Sequence, residues 1–278
     1  MTDGAVWING SLVDPDEASV PVSDHGFTVG DGVYETLRTV GGRPFAVGRH
    51  LARLRRSALL VGIEVPRSDR ALREVLAQVI AAAAVPEARV RITLTAGPGG
   101  AGTRRGDGPP TLVVSAGPLD TWPAEATAVT VPWPRNEMSA LAGAKVTSLA
   151  ESVHALAEAR RVGASEAILA NTRGDLCEGT GSNVFVALGG ELVTPPLTAG
   201  CLPGVTRALL LEALPAIDEA DVPIPRLSQA DEVLLTSTTR GVQPLRALDD
   251  RPLPGRQGPW AQVSMAALAE LWRHDLDP

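Results

Sequence analysis

Along the first third of the chain short apolar runs alternate with polar, Gly-containing turns, and the apolar residues then shift to helical spacing. Residues 5–8 and 11–13 read as short strands flanking Asn9-Gly10, a dipeptide suited to a two-residue hairpin turn. Residues 30–40 (GDGVYETLRTV) predict a turn entering a strand, closed by Gly41-Gly42. Over 48–61 the spacing predicts a helix, with Leu51, Leu54 and Ala58 on one face and Arg49, Arg53 and Arg56 projecting elsewhere. A second helix is predicted over 70–84, and strands over 89–95 and 111–116 enclose the flexible loop GPGGAGTRRGDGPP. These elements make an α+β domain over residues 1–118.

A proline-containing connector at 119–125 leads into a second region, 126–278, with its own strands and helices. A strand is predicted at 127–131, then a helix over 148–162 whose Leu149, Val153, Leu156 and Ala159 share a face. Strands at 167–170 and 184–188 surround the turns NTRGD and EGTGSN, which places Glu178 beside a turn. A helix over 204–214 is entered from Pro203, and a strand at 232–236 runs into a Ser/Thr cluster. The pattern is that of a two-domain chain, α+β followed by α/β.

Composition narrows what such a chain binds. Of 278 residues 44% are apolar, enough for one large core or two smaller ones. The net charge is -7 and the arginines are interspersed with carboxylates, so no basic stripe offers itself to nucleic acid or an anionic membrane. A small-molecule partner is expected. Cys177 and Cys201 form neither a disulfide framework nor a metal-ligand spacing, so no metal is expected and a reducing cytoplasm suits the chain. The longest apolar stretch, 79–85, falls far short of the roughly 20 residues of a membrane helix. With no basic-then-apolar leader at the N-terminus, the protein reads as soluble and unexported.

The 25 basic residues are 24 arginines and one lysine, Lys145. Arginine covers most tasks of a surface cation but cannot condense with an aldehyde. Lys145 sits among small residues just ahead of a helix, where partial desolvation favours a neutral amine. The alternative is an exposed loop cation. Glu178 is either a solvated turn residue or the partner of a cation. Gly204-Val205-Thr206 opens a helix, whose free N–H groups and positive dipole end suit an anion. Thr236 to Thr239 offer hydroxyl donors after a strand, and Arg53 adds positive charge.

The order of these motifs is more specific than any one of them. GDGVYET, H-x-x-RL, A-K-x-x-S-L-x-E, E-G-x-x-SN-x-F, P-G-V-T-R and E-x-x-x-TST together resemble the class IV aminotransferases, the fold type IV enzymes of pyridoxal 5'-phosphate (PLP), over nearly the whole chain. The resemblance implies a D-amino-acid-aminotransferase-like fold and a homodimer. It also implies that Lys145 forms the Schiff base with the cofactor and that Glu178 pairs with the pyridine nitrogen. Arg53, the backbone of Val205 and Thr206, and the hydroxyls of Ser237 and Thr238 would hold the phosphate. Tyr34, the only tyrosine, is similar to the family's active-site tyrosine, and Arg91, Arg104, Arg105 and Thr239 are candidates for the substrate.

Two other classes compete with this reading. Gly97, Gly99 and Gly102 satisfy G-x-G-x-x-G after a strand, but TRRGDGPP follows where a dinucleotide-binding helix should begin. A PLP-fold protein that binds without catalysis is the other. Within the family, the expectation is transamination between an amino acid, D-amino acids favoured, and a 2-keto acid. The alternative is 4-amino-4-deoxychorismate lyase, giving 4-aminobenzoate and pyruvate, followed by a branched-chain L-amino-acid aminotransferase. The Gly-rich loop has the lyase length but carries Ala101 where some lyases have arginine. Glu35 is similar to D-amino-acid aminotransferases, whose R-x-H carboxylate trap is absent.

Overall fold

A computed structural model describes residues 4–278. The chain divides into two compact units: the first takes the chain up to residue 120 with 144–148 and 275–278, the second takes 121–143 and 149–274.

In the first unit, β1 (Ala5–Ile8) and β2 (Ser11–Val13) form the hairpin, with Asn9 at φ 49° and Gly10 at φ 139° in its turn. Then come the short helix α1 (His25–Thr28), β3 (Gly32–Val40), β4 (Arg43–Pro44), α2 (Val47–Val61), α3 (Asp69–Ala83), β5 (Ala88–Thr95) and β6 (Thr111–Pro118). The six strands build one antiparallel sheet in the order β2-β1-β6-β5-β3-β4. Along β3 the period of two separates buried Val33, Glu35, Leu37 and Thr39 from less buried Tyr34, Thr36 and Arg38. Leu37, Leu51, Leu54, Leu72, Leu76, Ile92 and Leu94 fill the core between sheet and helices. α2 stops at Gly62, whose φ of 70° suits a residue without a Cβ.

Arg53 departs from the sequence reading. It lies on the buried face of α2, 3% exposed, because the inward-pointing Glu35 of β3 supplies the counter-charge it needs there. The segment 144–148 runs beside the start of β3: the Tyr34 N–H donates to the Lys145 carbonyl and the Thr147 N–H to that of Gly32, both at 2.9 Å. The final residues bind the start of α2, where the Gly48 N–H donates to Asp277 at 2.6 Å.

The second unit contains β7 (Ala126–Thr130), α4 (Ala150–Arg161), β8 (Glu166–Ala170), β9 (Leu176–Gly179), β10 (Asn183–Leu188), β11 (Glu191–Thr194), α5 (Val205–Ala213), β12 (Asp218–Glu219), β13 (Glu232–Ser237), β14 (Gly241–Leu248), β15 (Arg251–Pro252) and α6 (Pro259–His274). Its sheet follows the order β12-β11-β10-β13-β14-β7-β8-β9, with parallel pairs at β14/β7, β7/β8 and β11/β12. α4 buries the predicted face only in part: Ala159 is buried and Leu149 and Leu156 are partly so, but Val153 is 65% exposed, and Ser152 and Ala155 are buried in addition. Small side chains let this helix lie close to Ala167 and Leu169 of β8. Glu178 lies within a strand, β9, and is 5% exposed. The unpredicted α6 begins where the Trp260 and Ala261 N–H groups donate to the carboxylate of Glu232.

Candidate active site

In the first unit Lys145 is partly buried and fixed at both ends of its peptide. Its N–H donates to Ser57 Oγ at 3.0 Å, and its carbonyl accepts from Tyr34. The side chain turns onto Tyr34, with Nζ 4.3 Å from the ring centroid. Among the described residues no carboxylate pairs with it, so the amine is not committed to an ion pair. Arg91 of β5 packs on the same ring, its guanidinium carbon 3.9 Å from the centroid, and its Nε donates to Thr93 Oγ1 at 3.1 Å. Burial depresses the Arg91 pKa, and no carboxylate among the described residues neutralises it. A half-buried arginine beside a lysine, with no acid between them, is a place for an anion.

Behind Tyr34, on the core face of the sheet, Glu35 accepts three hydrogen bonds. They come from Arg53 Nε to Oε1 (2.7 Å), Arg53 Nη2 to Oε2 (2.8 Å) and His50 Nδ1 to Oε2 (2.7 Å). Burial raises the Glu35 pKa, but Arg53 and His50 outweigh it and hold the carboxyl at about 2. Burial lowers the pKa of His50, helped by the Arg53 and Lys145 charges against the opposing pull of Glu35. Glu35 is therefore an internal partner of Arg53, and its resemblance to one substrate class carries no contact with substrate.

The other arginine candidates lie apart. Arg105 gives its guanidinium to Asp31 at 2.6 and 2.7 Å and to the carbonyls of Val61 and Gly62, which ties the Gly-rich loop to the end of α2. A substrate carboxylate would have to displace Asp31, whose pKa Arg105 already lowers. His25 Nε2, 3.1 Å from the Gly100 carbonyl, pins the same loop. Arg104 is exposed.

In the second unit Glu178 is held from two sides. Arg135 Nε donates to Oε1 at 3.1 Å and the Leu202 N–H donates to Oε2 at 2.9 Å. Arg135, absent from the sequence expectations, stands after Pro-Trp-Pro, and nothing local announces its partner 43 residues on. α5 begins at Gly204 with no side-chain cap and no acid in its first turn, so the N–H groups of Val205 and Thr206 are available to an anion. A Cβ on Gly204 would overlap Asn183 Oδ1, whose amide nitrogen holds the Leu202 carbonyl at 2.8 Å. Gly204→Ala is therefore expected to displace this helix start and weaken the binding of an anion there by about tenfold, a loss of one charge-assisted contact, checked by titration with inorganic phosphate. Ser237, Thr238 and Thr239 are half-buried at the end of β13. The Ser237 hydroxyl accepts the Arg240 N–H at 3.3 Å, and Arg240 is anchored to buried Glu166 at 2.7 Å. Cys177 and Cys201 are free and buried; burial pushes both thiols up, Cys201 to about 12, so neither offers a thiolate.

Set against known proteins, the chain matches the family model described as amino-transferase class IV over residues 32–248. A D-alanine aminotransferase of Bacillus licheniformis is 30% identical over 95% of this chain and 95% of its own length. A branched-chain-amino-acid aminotransferase of Salmonella typhimurium is 31% identical over 91% of this chain and 88% of its own. A solved branched-chain aminotransferase of Thermoproteus uzoniensis, bound to norvaline, superposes with a TM-score of 0.91 at 28% identity, over 99% of this chain and 97% of that one. A Legionella pneumophila protein assigned as a 4-amino-4-deoxychorismate lyase reaches 0.87 at 26% identity, over 92% and 97%. The chain belongs to the class IV aminotransferases, PLP enzymes of fold type IV. Its donor set fits that cofactor: an amine in no ion pair among the described residues, an oriented carboxylate, and a helix start with no side-chain cap and no acid in its first turn.

Proposed function

We propose that Lys145 carries PLP and that the enzyme transfers an amino group from an amino acid, D-amino acids foremost, to a 2-keto acid. Glu178 pairs with the pyridine nitrogen. Arg53, the N–H groups of Val205 and Thr206, and the hydroxyls of Ser237 and Thr238 hold the phosphate. Bound PLP supplies the electron sink that stabilises the charge left when the substrate loses its Cα proton. Lys145 Nζ would take the Cα proton of the donor as general base and, in the return half-reaction, deliver a proton to Cα of the acceptor as general acid.

The observation that carries the substrate reading is Arg91, a half-buried guanidinium with no acidic partner among the described residues, on the same ring as Lys145. It takes the substrate carboxylate, in preference to Arg104 and Arg105. Arg91→Gln is expected to raise the KM for the amino acid about ten- to a hundredfold, the worth of a hydrogen bond to a charged group, with the cofactor spectrum unchanged. Steady-state kinetics with each donor check this. The likeness to D-alanine aminotransferases over 95% of both chains supports the D-donor assignment. Mixing the PLP form with D-alanine, D-glutamate and L-leucine in turn tests it, and conversion by L-leucine alone would transfer the assignment to branched-chain substrates. The Legionella likeness supports a second reading as a lyase. Release of 4-aminobenzoate from aminodeoxychorismate, with no amino acid reacting, would establish it.

We further propose a homodimer working in the cytoplasm. Val22 and Phe27, 82% and 74% exposed, are large apolar side chains that a second copy would cover. Sedimentation is expected to give twice the chain mass, and an active monomer would refute this. Among the described residues no helix is long and apolar enough to cross a membrane.

A further inference from the structure

We propose that Glu35 and His50 are positioning residues that hold the guanidinium of Arg53 in the one orientation in which it serves the cofactor phosphate. This rests on the assignment of Arg53 to the phosphate made above. Three observations lead to it. Glu35 and His50 are 0% exposed and Arg53 3%, so a full ion pair has been placed inside the apolar core around Leu51 and Leu54. Such a pair is poor value as stabilisation, since apolar residues of the same volume serve as well, and its presence calls for another reason. Glu35 also grips Arg53 side-on through Nε and Nη2, and this two-point contact fixes the plane of the guanidinium where a single contact would let it swing.

The third observation is the proton on His50. Its Nδ1 lies 2.7 Å from Glu35 Oε2, which can only accept, so Nδ1 carries the hydrogen. Among the described residues the buried Nε2 has no partner, as befits a bare lone pair on a neutral ring. A neutral histidine braces the carboxylate without setting a second cation against Arg53. The brace follows from helical spacing: His50, Arg53 and Ser57 lie three and four residues apart on one buried stripe of α2, the stripe whose Ser57 also holds the Lys145 N–H.

The test uses two probes, PLP and pyridoxal, which lacks the phosphate, each titrated by absorbance into enzyme stripped of cofactor. Glu35→Gln is expected to weaken PLP binding about tenfold and to leave pyridoxal binding unchanged, because only the phosphate contact depends on Arg53. His50→Leu is expected to weaken PLP by a smaller factor, again with pyridoxal unaffected, and His50→Gln, which can still donate, to restore it. Arg53→Gln separates the two levels of the argument. If it leaves PLP affinity intact, the phosphate assignment itself fails. If it weakens PLP while Glu35→Gln and His50→Leu do not, the positioning role fails alone. Equal loss of PLP and pyridoxal, or failure of both Glu35→Gln and His50→Leu to fold, would make the array a structural element and overturn the proposal.

Discussion

Lys145→Ala is expected to leave an enzyme with no covalent hold on its cofactor and no measurable turnover. The chain has a single lysine, so no neighbouring amine can be recruited, and arginine cannot stand in because its guanidinium does not deprotonate in the useful range. The substitution removes the contact of Nζ with the Tyr34 ring but none of the backbone hydrogen bonds of this segment. The contacts that fix this segment, to Ser57 Oγ and from Tyr34, belong to the backbone. Wild-type protein reduced with borohydride should carry the cofactor mass on the peptide containing Lys145, and the variant on no internal peptide. An adduct elsewhere in the variant would remove Lys145 from the mechanism. Loss of proton transfer alone should cost at least about a hundredfold in rate.

Glu178→Gln is expected to keep cofactor in place and lower turnover by about a hundredfold or more. A carboxylate can hold a proton on the pyridine nitrogen, whereas a neutral amide cannot. The change also disturbs its surroundings, since Oε1 and Oε2 now accept from Arg135 and Leu202 respectively. An amide has one acceptor oxygen, so its NH2 group would face one of these donors. Absorbance titration should show PLP still bound, because the proposed phosphate ligands are untouched. Unchanged turnover would sever the pairing of Glu178 with the ring.

Much of the first unit was legible because its signals are local. The Asn9-Gly10 hairpin, the Gly41-Gly42 turn that closes β3 and the spacing of Leu51, Leu54 and Ala58 along α2 each act within a few residues. Arg53 was read onto the wrong face of α2 because periodicity counts only apolar positions, and its counter-charge stands 18 residues earlier on another element. Still longer separations, 43, 88 and 74 residues, hide the pairing of Arg135 with Glu178, of Ser57 with Lys145 and of Arg105 with Asp31. In α4 the fully buried positions are serine and alanine, so spacing by the larger apolar residues includes Val153, which solvent covers. Glu178 looked like a turn residue because glycines follow it, although Leu176 and Cys177 before it already belong to a buried strand. The motif order, by contrast, was readable along the whole chain, since shared ancestry preserves sequence order even where contacts are remote.

The assignment of 144–148 to the first unit has a consequence for any attempt to take the molecule apart. The backbone passes between the units four times, at 120/121, 143/144, 148/149 and 274/275. A gene fragment ending at residue 120 would encode the sheet, both long helices and Tyr34, yet lack the peptide that hydrogen-bonds to the start of β3 and the tail that binds the start of α2. A fragment beginning at 121 would carry the lysine without the strand that holds it. Neither piece is a portable module, because cutting there separates the 144–148 peptide and the tail from the strand and helix that they bind.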